Sequence, residues 1–221
     1  MSLKVKICGV TTPPALHAAI DAGADMVGFV FFPKSPRNVS LRGACDLSAG
    51  MGGKAQKVAL VVDADDGLIR DIVQEFKPDW VQMHGAEPAE RVAEIRQKFG
   101  VPILKAIGVA QPSDLSEVEA YLGVADRILL DAKPAKGAEL PGGNGLAFDW
   151  TLTEGFSKRT GCENWLLSGG LNPENVGEAI RLTHAPGVDV SSGVEDSPGQ
   201  KSVEKIRAFI AAARRAQDHL A

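Results

Sequence analysis

Leu166-Leu167-Ser168-Gly169-Gly170-Leu171-Asn172-Pro173-Glu174-Asn175-Val176, then Gly187-Val188-Asp189-Val190-Ser191-Ser192-Gly193-Val194-Glu195, is the pair of segments around which the chain is organised. Each is a short apolar run that halts at glycine or serine and passes into an expected helix start. Gly169, Gly170 and Gly193 carry no β-carbon, so backbone N–H groups there can approach a bound group closely. Helix N-termini nearby are expected to add unpaired N–H donors and the positive end of a dipole. Two adjacent turns of this kind form a cradle for a phosphate dianion. In an eight-stranded α/β barrel such a cradle lies after strands seven and eight. Two tight turns that need glycine only for packing are the other reading of the same residues.

Outward from these segments, the chain repeats one alternation. Lys4-Val5-Lys6-Ile7-Cys8 reads as a first strand closed by Gly9, and Thr11-Thr12-Pro13-Pro14 opens a helix. Asp25-Met26-Val27-Gly28-Phe29-Val30-Phe31 is a near-continuous apolar run, as expected of a parallel strand covered on both faces. Further strands are expected over 57–62, 80–83, 102–107, 127–131 and 165–167. Helices are expected over 41–47, 65–76, 87–99, 113–122, 148–156 and 201–216. Eight strand-like runs, each followed by a helical one, imply a parallel sheet and favour closure. The expected fold is α/β: a single (βα)8 TIM-barrel domain over residues 1–221. Loops that follow strands are richer in Gly, Pro and charge than loops that precede them, which suits an active site at the C-terminal face. The longest irregular stretch, 132–145, carries Lys133, Lys136 and Gly142-Gly143-Asn144-Gly145.

Composition narrows the function classes. The 221 residues are 44% hydrophobic and 24% charged, ordinary for one globular domain. A barrel of ~250 residues is more usual, so the loops must be tight. A net charge of -4 without a basic block gives no electrostatic reason to expect nucleic acid or an anionic membrane surface as partner. No apolar run approaches the ~20 residues that span a bilayer. Cys8, Cys45 and Cys162 are widely spaced, which argues for reduced thiols in a cytoplasmic protein. The opening Met1–Lys6 segment enters a strand at once and lacks a leader pattern. Monomer and homodimer both fit the hydrophobic pattern.

Candidate chemistry gathers at the strand ends. Cys8 ends the first strand and Asp131 the sixth, so both are expected at the barrel mouth as a base and acid pair. A thiolate needs a lowered pKa, which nearby cations are expected to supply. The two-residue period of a strand puts Lys6 on the same side as Cys8 and opposite Ile7. Otherwise Cys8 is a small buried hydrophobe and Asp131 a helix cap. Arg37 lies in a loop stiffened by Pro33 and Pro36, where a guanidinium can grip a carboxylate through two parallel hydrogen bonds. Its alternative is a solvated surface charge. Of His17, His84, His184 and His219, only His84, after the fourth strand, falls where a site residue would. The four show no metal-ligand spacing, and a structural hydrogen bond is the other reading of His84.

With these residues in place, the sequence resembles the phosphoribosylanthranilate isomerase family of tryptophan biosynthesis. The matching motifs are Lys6-Ile7-Cys8-Gly9, Gly28-Phe29-Val30-Phe31 with Ser35-Pro36-Arg37, Val81-Gln82-Met83-His84-Gly85 and Leu129-Leu130-Asp131. Gly142-Gly143-Asn144-Gly145, Leu167-Ser168-Gly169-Gly170-Leu171 and Asp189-Val190-Ser191-Ser192-Gly193-Val194-Glu195 complete the set. The resemblance implies an Amadori rearrangement of a phosphorylated aminosugar, with Asp131 as general acid and Cys8 as general base. It also implies Arg37 on the anthranilate carboxylate, and Gly169, Gly170, Ser192 and Gly193 on the phosphate. His84, Gly142 and Gly143 are expected to line the substrate, and Gly142 to Gly145 to form a mobile segment over it, since glycine permits the backbone changes of closure. No cofactor and no metal are expected, because the substrate's own iminium is the electron sink.

Two other readings stay open at this point. A pentulose-phosphate epimerase would keep the barrel and phosphate site. Resemblance to that family calls for a metal held by histidines and carboxylates at several strand ends, whereas here the first strand ends in Cys8. A non-catalytic phosphosugar-binding protein on the same scaffold is the third reading. Acid and base candidates at one mouth speak against it.

Overall fold

The computed structural model describes residues 2–134, 137, 140–143, 145 and 147–218. Eight parallel strands close into a barrel in sequence order: β1 Lys4–Cys8, β2 Met26–Phe31, β3 Gln56–Val61, β4 Trp80–Met83, β5 Ile103–Val109, β6 Arg127–Ala132, β7 Trp165–Leu167 and β8 Gly187–Val190. This is the TIM-barrel fold. The outer layer holds α1 Pro13–Asp21, α2 Leu41–Ser48, α3 Asp66–Asp71, α4 Ala89–Phe99, α5 Phe156–Thr160, α6 Val176–Thr183 and α7 Val203–Asp218.

The period of two decides which side chains reach the site. Along β6, Ile128 and Leu130 join the large core between sheet and helices. Leu129 instead packs inside the barrel with Met26, Val58, Leu104 and Leu166. Asp131, two residues on, therefore points inward at the mouth. On β1, Val5 and Ile7 face outward, while Cys8 sits inside against Val30 and Leu60. The floor is closed by Arg127, whose guanidinium lies 4.7 Å over the Trp80 ring.

Departures from the expected elements have local causes. The helix expected over 113–122 is a 3-10 helix, Pro112–Tyr121. There Asp114 accepts from the amides of Ala110 and Gln111 and pairs with Lys133, which tightens the turn. The helix expected over 148–156 is a short 3-10 turn, Trp150–Thr153, followed by α5. Gly155, at φ +65°, breaks the run between them. The helix over 65–76 starts regularly, with the Asp65 side chain accepting from the Leu68 amide, and widens into a π turn over Ile72–Phe76.

No α-helix follows β8 directly, contrary to expectation. A 3-10 turn, Ser192–Val194, leads instead into a two-stranded hairpin, β9 Glu195–Ser197 with β10 Gln200–Lys201. The final helix begins after that hairpin, so Lys201 is a strand residue. After β7, α6 starts at Val176, six residues beyond Gly170. After β7 the glycine turn thus has no α-helix directly beside it, and after β8 the cradle residues head only the short 3-10 turn.

Candidate active site

One cavity at the C-terminal mouth of the barrel brings together Cys8, Arg37, His84, Asp131, Gly142, Gly143, Gly169, Gly170, Ser192 and Gly193. The sequence anticipated all of these. Asp189 and Ser168 also line it and were not singled out as site residues. Lys136, Asn144 and His219 lie outside the described residues.

Cys8 is 4% exposed, and its sulfur fits because Gly28 lies opposite it in the β1–β2 register. A β-carbon at Gly28 would stand 2.9 Å from Sγ. Beneath it, fully buried Lys6 pairs with Asp189 at 2.7 Å, and its charge acts on the sulfur. Ser168 Oγ lies 3.3 Å from the other Asp189 oxygen. Burial pulls the Lys6 ammonium down, but Asp189 and Cys8 outweigh it and leave Lys6 firmly charged. For Cys8 the balance falls the other way. Burial pushes the thiol up, Lys6 and Lys201 offset only part of that, and Asp189 adds to it. The expectation that cations give a net lowered thiol is thus corrected: burial outweighs them and leaves the thiol above its ordinary range.

Asp131 takes its place across the mouth. Its Oδ1 accepts from the Ala132 amide at 2.9 Å, and its Oδ2 lies 3.3 Å from His84 Nε2. It caps no helix. His84 rides on a turn clamped from outside: Lys105 Nζ donates to the Gly85 carbonyl at 2.7 Å and pairs with Glu87 at 2.8 Å. Glu87 in turn accepts from the amides of Gly85 and Asp63. Gly142 covers this pair so closely that a β-carbon there would meet His84 Nε2 at 2.6 Å and Asp131 Oδ2 at 2.7 Å.

Arg37 is not a surface charge, for it is 4% exposed. Its Nε and Nη2 donate to the two oxygens of Glu195 at 2.7 and 2.9 Å, and Nη2 also reaches the Gly143 carbonyl at 3.1 Å. The two parallel bonds expected for a ligand carboxylate are therefore spent on Glu195, and among the described residues Nη1 has no hydrogen-bond partner. Glu195 also pairs with buried Lys201 at 2.6 Å, while Lys201 donates to the Ser191 carbonyl at 2.9 Å. Burial favours the neutral acid of Glu195, but Arg37 and Lys201 outweigh it and hold the carboxyl below its ordinary range. Stability from a depressed carboxylate is present above its unfolded pKa and lost as pH falls through the folded value. Glu195→Gln is expected to cost about 3–5 kcal/mol at neutral pH, because it strands two buried cations. Thermal denaturation of both proteins should show that gap narrowing on acidification.

Backbone conformation and packing both call for glycine in these turns. Gly169 and Gly170 have φ of +83° and +69°, and a β-carbon at Gly193 would stand 1.9 Å from the Leu171 carbonyl oxygen. The turns after β7 and β8 thus touch through glycine. Among the described residues, the amides of Gly169 and Gly170 donate to no backbone acceptor outside regular elements. Ser192 and Gly193 head the 3-10 turn, where the first N–H groups have no partner within the helix. Among the described residues no group of three or more His, Cys, Asp or Glu side chains is arranged to hold a metal ion, and no helix is long and apolar enough to cross a membrane.

Residues 5–212 match the family model for N-(5'-phosphoribosyl)anthranilate isomerase. The N-(5'-phosphoribosyl)anthranilate isomerase of Rhodopseudomonas palustris is 55% identical over 216 residues, covering 98% of this chain and 100% of the relative. That of Paracoccus denitrificans is 54% identical over 213 residues, 96% of this chain and 98% of the relative. Among solved structures, phosphoribosyl anthranilate isomerase from Thermotoga maritima superposes with a TM-score of 0.86 at 37% identity, covering 96% of this chain and 99% of that one. A phosphoribosyl anthranilate isomerase in complex with reduced 1-(o-carboxyphenylamino)-1-deoxyribulose 5-phosphate gives 0.83 at 35% identity, with the same coverage.

Proposed function

Because the chain belongs to the N-(5'-phosphoribosyl)anthranilate isomerase family, we propose that Cys8 and Asp131 are the base and the acid of its reaction. The reaction converts N-(5-phosphoribosyl)anthranilate to 1-(2-carboxyphenylamino)-1-deoxyribulose 5-phosphate in tryptophan biosynthesis. Asp131 gives a proton to the furanose ring oxygen, the C1–O bond breaks, and the anthranilate nitrogen lone pair completes a C1=N iminium. The Cys8 thiolate then removes the C2 proton, whose bonding electrons flow into the iminium and form an enolamine. Tautomerisation gives the ketone. Lys6, kept charged by Asp189, favours the thiolate that this step needs, and the positive iminium beside the sulfur adds to that push. One acid and one base that flank the sugar suffice for this sequence, each contributing roughly 10²–10⁴-fold.

The observation that carries this reading is the shared mouth: the sulfur, the carboxyl, Arg37 and the glycine turns line one cavity. Arg37 meets the anthranilate carboxylate through Nη1, and the amides of Gly169, Gly170, Ser192 and Gly193 take the phosphate. His84 supports Asp131, while Gly142 and Gly143 cover the substrate. The free thiols of Cys8, Cys45 and Cys162 support a reducing, cytoplasmic setting.

The test is turnover of freshly made phosphoribosylanthranilate, followed by loss of its fluorescence, against the same compound without its phosphate. Turnover in large excess over enzyme is expected for the first. At least an ~100-fold lower kcat/KM is expected for the second, because phosphate binding drives the distant chemistry. Equal values for the two would remove the phosphate role of the glycine turns.

A further inference from the structure

Gln82 lies on β4 two residues before His84, so both side chains share the inward face. It is 0% exposed, and its Oε1 has no hydrogen-bond partner among the described residues. A buried amide oxygen left unpaired is costly. Among the described residues the carboxamide's one side-chain hydrogen bond joins Nε2 to His84 Nδ1 at 2.8 Å. The amide is thus committed to the imidazole at the expense of its own satisfaction, which marks it as serving the site.

The other ionisable groups on the neighbouring elements are already engaged. Asp63 accepts from the Ala86 amide, Glu87 pairs with Lys105, Lys6 pairs with Asp189, and Lys133 pairs with Asp114. Cys8 stands across the mouth against Lys6. The state of His84 is therefore set by its two contacts, Gln82 and Asp131.

An amide nitrogen is only a donor, so Nδ1 beside it must be a bare acceptor. Neutral His84 then carries its single hydrogen on Nε2, aimed at Asp131 Oδ2. We infer that Gln82 is a positioning residue that locks His84 as the neutral Nε2–H tautomer, and so turns the Asp131 proton outward to the substrate. The inference rests on the reading of Asp131 as the acid. A bare Nε2 would instead accept the Asp131 proton in a closed internal bond. An imidazolium would hold Asp131 as the carboxylate, and it is opposed because Nδ1–H would then face the amide hydrogens. In the step itself the Oδ–H bond breaks, its electron pair stays on Asp131, and the proton forms the bond to the ring oxygen while Nε2–H stabilises the carboxylate left behind.

The experiment has two arms. Nitrogen NMR of the histidine-labelled full-length enzyme should show a pyridine-type Nδ1 and a pyrrole-type Nε2 for His84. Gln82→Glu, nearly the same size but accepting only, should place a hydrogen on Nδ1, lower kcat about tenfold or more and move the basic limb of the kcat–pH profile to higher pH, because Asp131 loses the donor that favours its carboxylate. Wrong-tautomer enzymes lose up to ~10⁴-fold. A hydrogen on Nδ1 in the wild-type enzyme overturns the inference, as does a folded Gln82→Glu with unchanged kcat and profile. Should the variant fail to fold, the wild-type nitrogen shifts still decide. They do so independently of the acid assignment, which falls only if Asp131→Asn stays active.

Discussion

Cys8→Ala is expected to fold normally and to lose about 10²–10⁴ of its turnover. The side chain is small and tucked against Val30 and Leu60, so its removal opens little space. The Lys6–Asp189 pair beneath it has its own 2.7 Å bond and survives the change. The variant is left with no sulfur to take the C2 proton beside the Lys6 ammonium. On the proposed assignment of substrate binding to Arg37 and the glycine turns, affinity should change little, so the loss is expected in kcat. Steady-state kinetics beside circular dichroism and thermal denaturation make the measurement. Near-normal turnover in a folded Cys8→Ala enzyme would dismiss the thiol as base.

Asp131→Asn is the second large effect, again about 10²–10⁴ in kcat, with KM changing less. The substitution preserves shape but removes the transferable proton. It also mismatches the donors around it. Asp131 receives the Ala132 amide on one oxygen and faces His84 Nε2 with the other, whereas asparagine offers only one oxygen. A stability loss of about 1–3 kcal/mol accompanies the kinetic loss. Both readings are needed, since a folded variant that kept most of its activity would assign the acid to a different group.

Much of this was legible because strand periodicity and turn glycines are local. Lys6, Ile7 and Cys8 alternate in sequence and alternate across the sheet, so the inward placement of Cys8 follows from counting. Gly169, Gly170 and Gly193 announce turns where a β-carbon cannot fit. What was not legible depends on distant partners. Glu195 reaches Arg37 across 158 positions, and Asp189 reaches Lys6 across 183. No local pattern reports either pairing. The Glu195 bond changes how Arg37 can greet a ligand, and Asp189 holds the ammonium beside the thiol. The sign of the Cys8 shift was missed for a related reason: cations can be guessed from neighbouring residues, but complete desolvation depends on the closed cylinder around them. Helices failed where a single residue overruled the apolar pattern, as at Asp114 and Gly155.

The Arg127–Trp80 stack has a consequence for traffic. With that stack at the lower end and the middle filled by Met26, Val58, Leu104, Leu129 and Leu166, the cylinder among the described residues opens at the C-terminal mouth. Entry, exit and exchange with bulk water all share it. A departing ketosamine must clear the same threshold that an arriving aldosylamine crosses, so the two compounds contend for one berth and queue instead of passing through.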